Sequence, residues 1–459
     1  MRMPVPLNAI PTSIQRVLDA ALAAVDPATA VAAQLRREGD LLLAGGRRYA
    51  LGDYDRVFVV GAGKAGAPMA QAVEAVLGDR ITAGCVVVKY GHQAPTRTVR
   101  IVQAGHPVPD QAGLEAGREV LALATSAGPR DLVLCLLSGG GSALLEALPS
   151  GITLVDLRAT TDLLLSCGAT INEINCLRKH LSLVKGGQLA RAVAPATLVT
   201  LVLSDVVGSP LDVIASGPTV PDPTTWADAL AVVERYHLAG RLPASVAQRL
   251  ATGEMGALPD TPKAANPLFN QAQTLIVADN AIAADAAGVE AERQGYYALV
   301  LSTFIEGEAR EVAKVAVALG REVQAHRRPV SPPACLVLGG ETTVTLGSQP
   351  GQGGRNQELA LAAAVALAGH PGITLVALAT DGSDGPTDAA GGIVDGETVS
   401  RGKALGLDAR KHLDTHDAYA YLDAVGALLR TGPTRTNVND LILMFIDDSP
   451  TILDASARA

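Results

Sequence analysis

The sequence predicts an α/β protein of two domains, an N-terminal Rossmann-like parallel sheet with helices on both faces and a smaller C-terminal α/β domain. Three observations carry this. Short, nearly continuous β-branched runs alternate with alanine-rich helical segments, as strands buried on both faces do. The chain has 459 residues, more than the ~100 to 200 that one core usually organises. Hydrophobic residues make up 48% and charged residues 18%, which suits packed layers rather than a disordered or fibrous chain.

Ile14, Val17, Leu18, Ala21, Leu22 and Val25 recur at helical spacing and predict an amphipathic helix over 12–25. Asp26 and Pro27 then suit the N-cap and first position of a second helix. Strands are expected at RVFVVG (56–61), GCVVVK (84–89), VRIVQA (99–104), DLVLCLL (131–137) and TLVTLVLS (197–204). Residues 251–271 carry glycines, three prolines and little periodicity, so they read as a linker between domains at 1–250 and 272–459. In the second domain QTLIVAD, YALVLS, ACLVLGG, TVTLG and ITLVALATDG read as strands, with helices at 280–294, 307–325 and 356–369.

Several classes are disfavoured at once. Aromatic residues are 3% of the chain and the formal net charge is −9, without a basic run, so neither stacked bases nor a polyanion has a natural seat. Five cysteines without C-x-x-C spacing read as small buried hydrophobes in a reducing compartment. Asp19 and Asp26 interrupt the apolar N-terminal stretch, and no other stretch is long enough to span a bilayer, so a cytoplasmic protein without a membrane partner is expected.

The chemistry gathers at strand ends. RVFVVG runs into Gly61-Ala62-Gly63-Lys64-Ala65-Gly66 and an alanine-rich helix, the strand-to-helix setting that G-x-G-x-x-G requires. Gly61 and Gly63 let backbone N–H groups approach phosphate, the helix start adds partial positive charge, and Lys64 adds a full one. A dinucleotide site also wants an acid closing the next strand, whereas Lys89 stands there, which disfavours NAD but suits the 2′-phosphate of NADP. DLVLCLL leads into Ser138-Gly139-Gly140-Gly141-Ser142, a backbone nest for an anion that does not fit the G-x-S-x-G of a serine hydrolase.

Asn172, Asn175 and Lys179 fall on one helical face, followed by Lys185 in another glycine turn; this stripe also reads as a solvated polar face. Asp205 closes a strand, where open sheets bind ligands, and suits either a magnesium ion or a departing proton. Ser216, Gly217 and Thr219 follow it. Later, Glu341 comes after two glycines, and the Gly353-Gly354 turn precedes Arg355 and Asn356 at a helix start, a place for guanidinium to spread phosphoryl charge. Asp381 and Asp384 lie in an acidic strand-end loop suited to Mg²⁺ with phosphate oxygens. Neither a P-loop nor the protein-kinase motif set occurs, so phosphoryl transfer by another scaffold fits these residues best.

Taken in order, GAGKA (61–65), AGHPVPD (104–110), SGGGSALL (138–145), INEINCLRKHLSLVKGGQLA (171–190), ASGPTVPDPTT (215–225), GGRNQELAL (353–361), TDGSDGPTDAAGG (380–392) and TNVNDL (436–441) cover nearly the whole chain. They resemble the glycerate 2-kinase family of the MOFRL type, some members of which carry a provisional hydroxypyruvate reductase label. The resemblance implies ATP-dependent phosphorylation of D-glycerate to 2-phosphoglycerate with a divalent metal, in a cleft between the two domains, and leaves a homodimer open. It also implies that Lys64 and Arg355 are active-site residues. Arg435 and Val207 depart from the family pattern, which has glycine and frequently proline there. The rival readings are an NADP-linked reductase, resting on the GAGKAG turn and Lys89, and a non-catalytic sensor of phosphorylated acids.

Overall fold

The computed structural model describes residues 10–347 and 350–448, which group into two compact units. One runs from Pro27 to Val277; the other joins the described residues up to Asp26 to those from Ala278 onward.

The Pro27–Val277 unit opens with a small antiparallel sheet of β1 (Leu35–Glu38), β2 (Leu41–Ala44) and β3 (Arg47–Ala50). Its main sheet contains β4 (Arg56–Ala62), β5 (Ala83–Lys89), β6 (Val99–Ala104), β7 (Asp131–Leu137), β8 (Thr197–Leu203) and β9 (Ala272–Ala278). Their spatial order is β6-β5-β4-β7-β8-β9, with parallel pairing from β6 through to β8. Relabelled by first appearance this is the doubly wound order 3-2-1-4-5-6, which places the switch point between β4 and β7. Every residue of β7 is buried, and Phe58, Val60, Val133, Cys135 and Leu198 join one core with helix Gln111–Ser126. The apolar runs are continuous because helices cover both faces.

The other unit holds a mixed sheet of β10 (Tyr297–Glu308), β11 (Ala334–Thr343), β12 (Ile373–Ala379), β13 (Gly391–Asp395), β14 (Leu428–Leu429) and β15 (Asp440–Ile446), ordered β10-β11-β15-β12-β13-β14. Among the described residues only β10 and β11 pair in parallel in this sheet; β15 runs antiparallel to β11 on one side and to β12 on the other. Helix Arg355–Leu367, buried along nearly its whole length, packs on this sheet.

Three features differ from the sequence expectation. The stretch 251–271 lies inside the first unit: Thr261 Oγ1 donates to Asp222 (2.9 Å), His180 pairs with Asp260 (3.0 Å), and the Asp222 N–H donates to the Pro262 carbonyl (2.9 Å). Its prolines and glycines mark irregular backbone, which is separable from a domain boundary. QTLIVAD, expected to open the second domain, is instead the edge strand of the first sheet, and the helix Thr12–Ala24 packs on Asn280–Arg293 in the other unit. Of TVTLG only Thr343 lies in a strand; residues 344–347 have no regular structure.

No single helix among the described residues is long and apolar enough to cross a membrane. The apolar face of Thr12–Ala24, with Ile14, Val17, Leu18 and Ala21, is buried within the protein.

Candidate functional site

The two glycine turns of the first unit emerge side by side at the carboxyl edge of β4 and β7, because these strands are parallel neighbours. They are tied together. Ser138 donates its N–H to the Ala62 carbonyl (3.1 Å), Lys64 donates its own to Gly139 (2.8 Å), and Ser138 Oγ accepts from Ala65 N–H (3.0 Å). Gly63, at φ 142°, has no room for a side chain: a Cβ there would stand 2.1 Å from Ser138 Oγ. Gly140 is left-handed (φ 83°), and a Cβ on it would lie 2.9 Å from His106 Cδ2 and 3.5 Å from Lys64 Cε. A Cβ on Gly139 would meet Asp205 Oδ2 at 1.9 Å, so the Asp205 carboxylate lies against the triglycine turn. Gly61 is the penultimate residue of β4, and a Cβ on it would stand 2.0 Å from the Leu136 carbonyl oxygen of β7.

Ser142 continues the cluster: its Oγ lies 2.9 Å from Ser216 Oγ, which donates to Asn175 Oδ1 (3.1 Å). Ala215, Ser216 and Gly217 hold three successive left-handed φ values of 51°, 61° and 60°. For the two non-glycines this strain is of order 1–3 kcal/mol each. Hydrogen bonds to Gly186 and Gly187 N–H (2.9 and 2.7 Å) hold the run in place. Thr219 is buried beyond it.

The cations divide into two kinds. Among the described residues Lys64 and Lys89 have no ion-pair or hydrogen-bond partner for their ammonium groups. Lys179 is buried against Asp222 (3.1 Å) and Asp212 (3.3 Å), and Lys185 against Glu146 (2.8 Å), so their charges are already neutralised within the unit. Asn172, on the same helix, is exposed. The stripe read from spacing is therefore split: Asn175 joins the turn cluster and the lysines hold the scaffold. Lys185→Met strands Glu146, itself 2% exposed, and should cost about 3–5 kcal/mol of stability. Urea unfolding beside an affinity measurement for both substrates checks this; a binding lysine would show the reverse pattern.

Sequence reasoning gave no role to two histidines beside Lys64. His92 Nδ1 donates to the Lys64 carbonyl (3.1 Å). Burial, then the charges of Lys64, Lys89 and His92, push the pKa of His106 down to about 4. It is therefore a neutral imidazole at physiological pH. The signal was available: His106 lies two residues past the end of β6, at the same carboxyl edge as the glycine turns.

In the other unit, Arg355 begins its helix after the Gly353-Gly354 turn. Its Nε and Nη2 donate to the two oxygens of Asp440 (2.6 and 3.1 Å) and Nη1 donates to Glu341 (2.6 Å). Asp440 is 5% exposed, and burial raises its pKa to about 6 despite the guanidinium. Asp384, expected as a metal ligand, caps this helix instead. Its oxygens accept from Asn356 N–H (3.1 Å), Asn356 Nδ2 (3.3 Å) and Gln357 N–H (2.8 Å), and a Cβ on Gly354 would reach its Cγ at 2.4 Å. Asp381 Oδ1 accepts from Ser383 N–H (3.0 Å), the closure of an Asp-led turn. Among the described residues no three His, Cys, Asp or Glu side chains form a metal-binding group. Arg435 has φ 65°, the conformation glycine favours and so the one where its side chain adds strain.

Residues 13–251 match a domain described only as of unknown function, DUF4147, and residues 334–440 match the MOFRL family. A glycerate 2-kinase of Pyrococcus horikoshii is 41% identical over 94% of this chain and 96% of its own. An Agrobacterium vitis protein with the provisional name hydroxypyruvate reductase is 44% identical over 94% of each. The crystal structure of Thermotoga maritima glycerate kinase superposes with a TM-score of 0.85 at 43% identity, covering 95% of this chain and 98% of that one.

Proposed function

The chain belongs to the glycerate kinase family that combines these two domains, and from that premise we propose that it transfers the γ-phosphoryl group of ATP to the 2-hydroxyl of D-glycerate. The observation that carries this reading is the Lys64 ammonium, without an ion-pair or hydrogen-bond partner among the described residues, beside the triglycine turn at the sheet's switch point. A phosphoryl group in flight spreads charge over its oxygens, and catalysis consists mainly of positioning and offsetting that charge. Lys64 offsets it directly, and the Gly139–Gly141 backbone orients the phosphates. Arg355 is the second cation assigned to catalysis, held in one orientation by Asp440 and Glu341.

Magnesium is commonly held by one or two carboxylates together with substrate phosphates. Asp205, against the triglycine turn, fits that pattern. Bound at Asp205, the ion would supply positive charge to the nucleotide phosphates. All five cysteines are free, which suits the cytoplasm.

Incubation of the pure protein with D-glycerate, ATP and Mg²⁺ should yield ADP and 2-phosphoglycerate, resolved from the 3-phospho isomer by product analysis. Oxidation of NAD(P)H by hydroxypyruvate without ADP formation would overturn the kinase reading in favour of a reductase.

A further inference from the structure

Beside Lys64 stands a second group of donors that phosphoryl transfer leaves unused. β5 ends at Lys89, which pairs in register with Ala104 of β6, and the chain reaches His106 two residues later. The His106 ring packs against Gly140, whose missing Cβ is what admits it. Neither ring nitrogen of His106 bonds to any group among the described residues, and the Lys89 ammonium has no partner there either. Lys64, Lys89 and His92 all stand close enough to disfavour a charge on His106, and the nearby Asp110 carboxylate already accepts from the Tyr90 hydroxyl (2.8 Å) and the Gly113 N–H (2.9 Å). The imidazole and the ammonium are both half-buried and reach solvent, so both can donate to an anion that arrives there.

We propose that His106 and Lys89 form the subsite that receives the carboxylate of the acceptor acid, and so select a short hydroxy acid over an uncharged polyol. The proposal rests on the kinase reading for the identity of the acceptor. Charge favours a carboxylate over a triphosphate at this spot. One ammonium and one neutral N–H donor balance a single negative charge, with Lys64 left for the phosphoryl group, whereas a triphosphate needs several cations. The imidazole then acts as an oriented donor to a carboxylate oxygen and keeps its own proton, so it is a specificity-determining residue rather than a base.

The test has two arms. In steady state, His106→Ala and Lys89→Met should each raise KM for D-glycerate roughly 10- to 100-fold, the worth of a charge-assisted hydrogen bond, while KM for ATP changes less than about twofold. His106→Gln, which keeps an N–H donor of similar reach, should recover most of the loss. In calorimetric titration of the full-length protein with D-glycerate alone, the two disabling variants should lose binding by the same factor. An unchanged glycerate KM, or a raised KM for ATP instead, overturns the proposal. The titration stands apart from turnover: a wild type that binds D-glycerate but forms no ADP sinks the kinase reading and leaves the subsite intact. Equal glycerate binding by wild type and variants sinks the subsite alone.

Discussion

Lys64→Ala is expected to lower kcat by about 10²- to 10³-fold, the usual loss when one preorganised donor to a charged transition state is removed, with little change in melting temperature. The stability half of this expectation comes from structure. The Lys64 ammonium makes no ion pair among the described residues, and the groups that fix the turn are its backbone N–H on Gly139 and its carbonyl under His92. Alanine keeps both. Removing an unpaired, half-exposed side chain usually alters stability by under about 0.5 kcal/mol. Steady-state turnover with saturating ATP and D-glycerate, beside a thermal melt, reads both quantities. A variant that turns over near the wild-type rate would remove Lys64 from the mechanism.

Arg355→Ala should also abolish most turnover, but here the fold suffers too. Without the guanidinium, Asp440 is a buried carboxylate with no cation, a defect worth about 3–5 kcal/mol when the acid is ionised. The pH dependence follows from the sign of the shift. Asp440 has a folded pKa near 6 against an ordinary 3.8. Its contribution to wild-type stability is therefore fullest below the unfolded value and is lost as pH rises through about 6. In the variant burial acts unopposed, so the carboxyl holds its proton to higher pH. The stability gap between the two proteins should then be small at pH 5 and widen towards pH 8. Arg355→Met combined with Asp440→Asn should restore stability at pH 8 without restoring turnover. Denaturant unfolding across that range decides the matter; an Arg355→Ala protein as stable as wild type at pH 8 would show that Asp440 finds another partner.

Much of the fold is legible in the residues. DLVLCLL coincides with β7 because a strand buried on both faces must be apolar without interruption, and VRIVQA coincides with β6, an edge strand where only Val99 and Ala104 are buried. β15 escaped, although DLILMFI is equally apolar. A short apolar run does not disclose its partners, and its antiparallel place between β11 and β12 is a long-range choice. The strands LRRE and RRYA of the small sheet carry too much charge to resemble strands at all.

For the site, the residue types and their strand-end positions were determined by sequence alone: glycines where backbone must approach an anion, Lys64 and Arg355 beside them, and an acid at 205. Only the tertiary structure decided which charges are spent and which are free. Lys179, Lys185 and Asp384 look like ligands in the chain, yet Asp222, Glu146 and the amides of residues 356 and 357 consume them. His106, given no role from the sequence, is brought against Gly140. The reason is physical: local spacing sets which side chains share a face, whereas neutralisation of a charge depends on whether distant chain segments bring it a partner out of water.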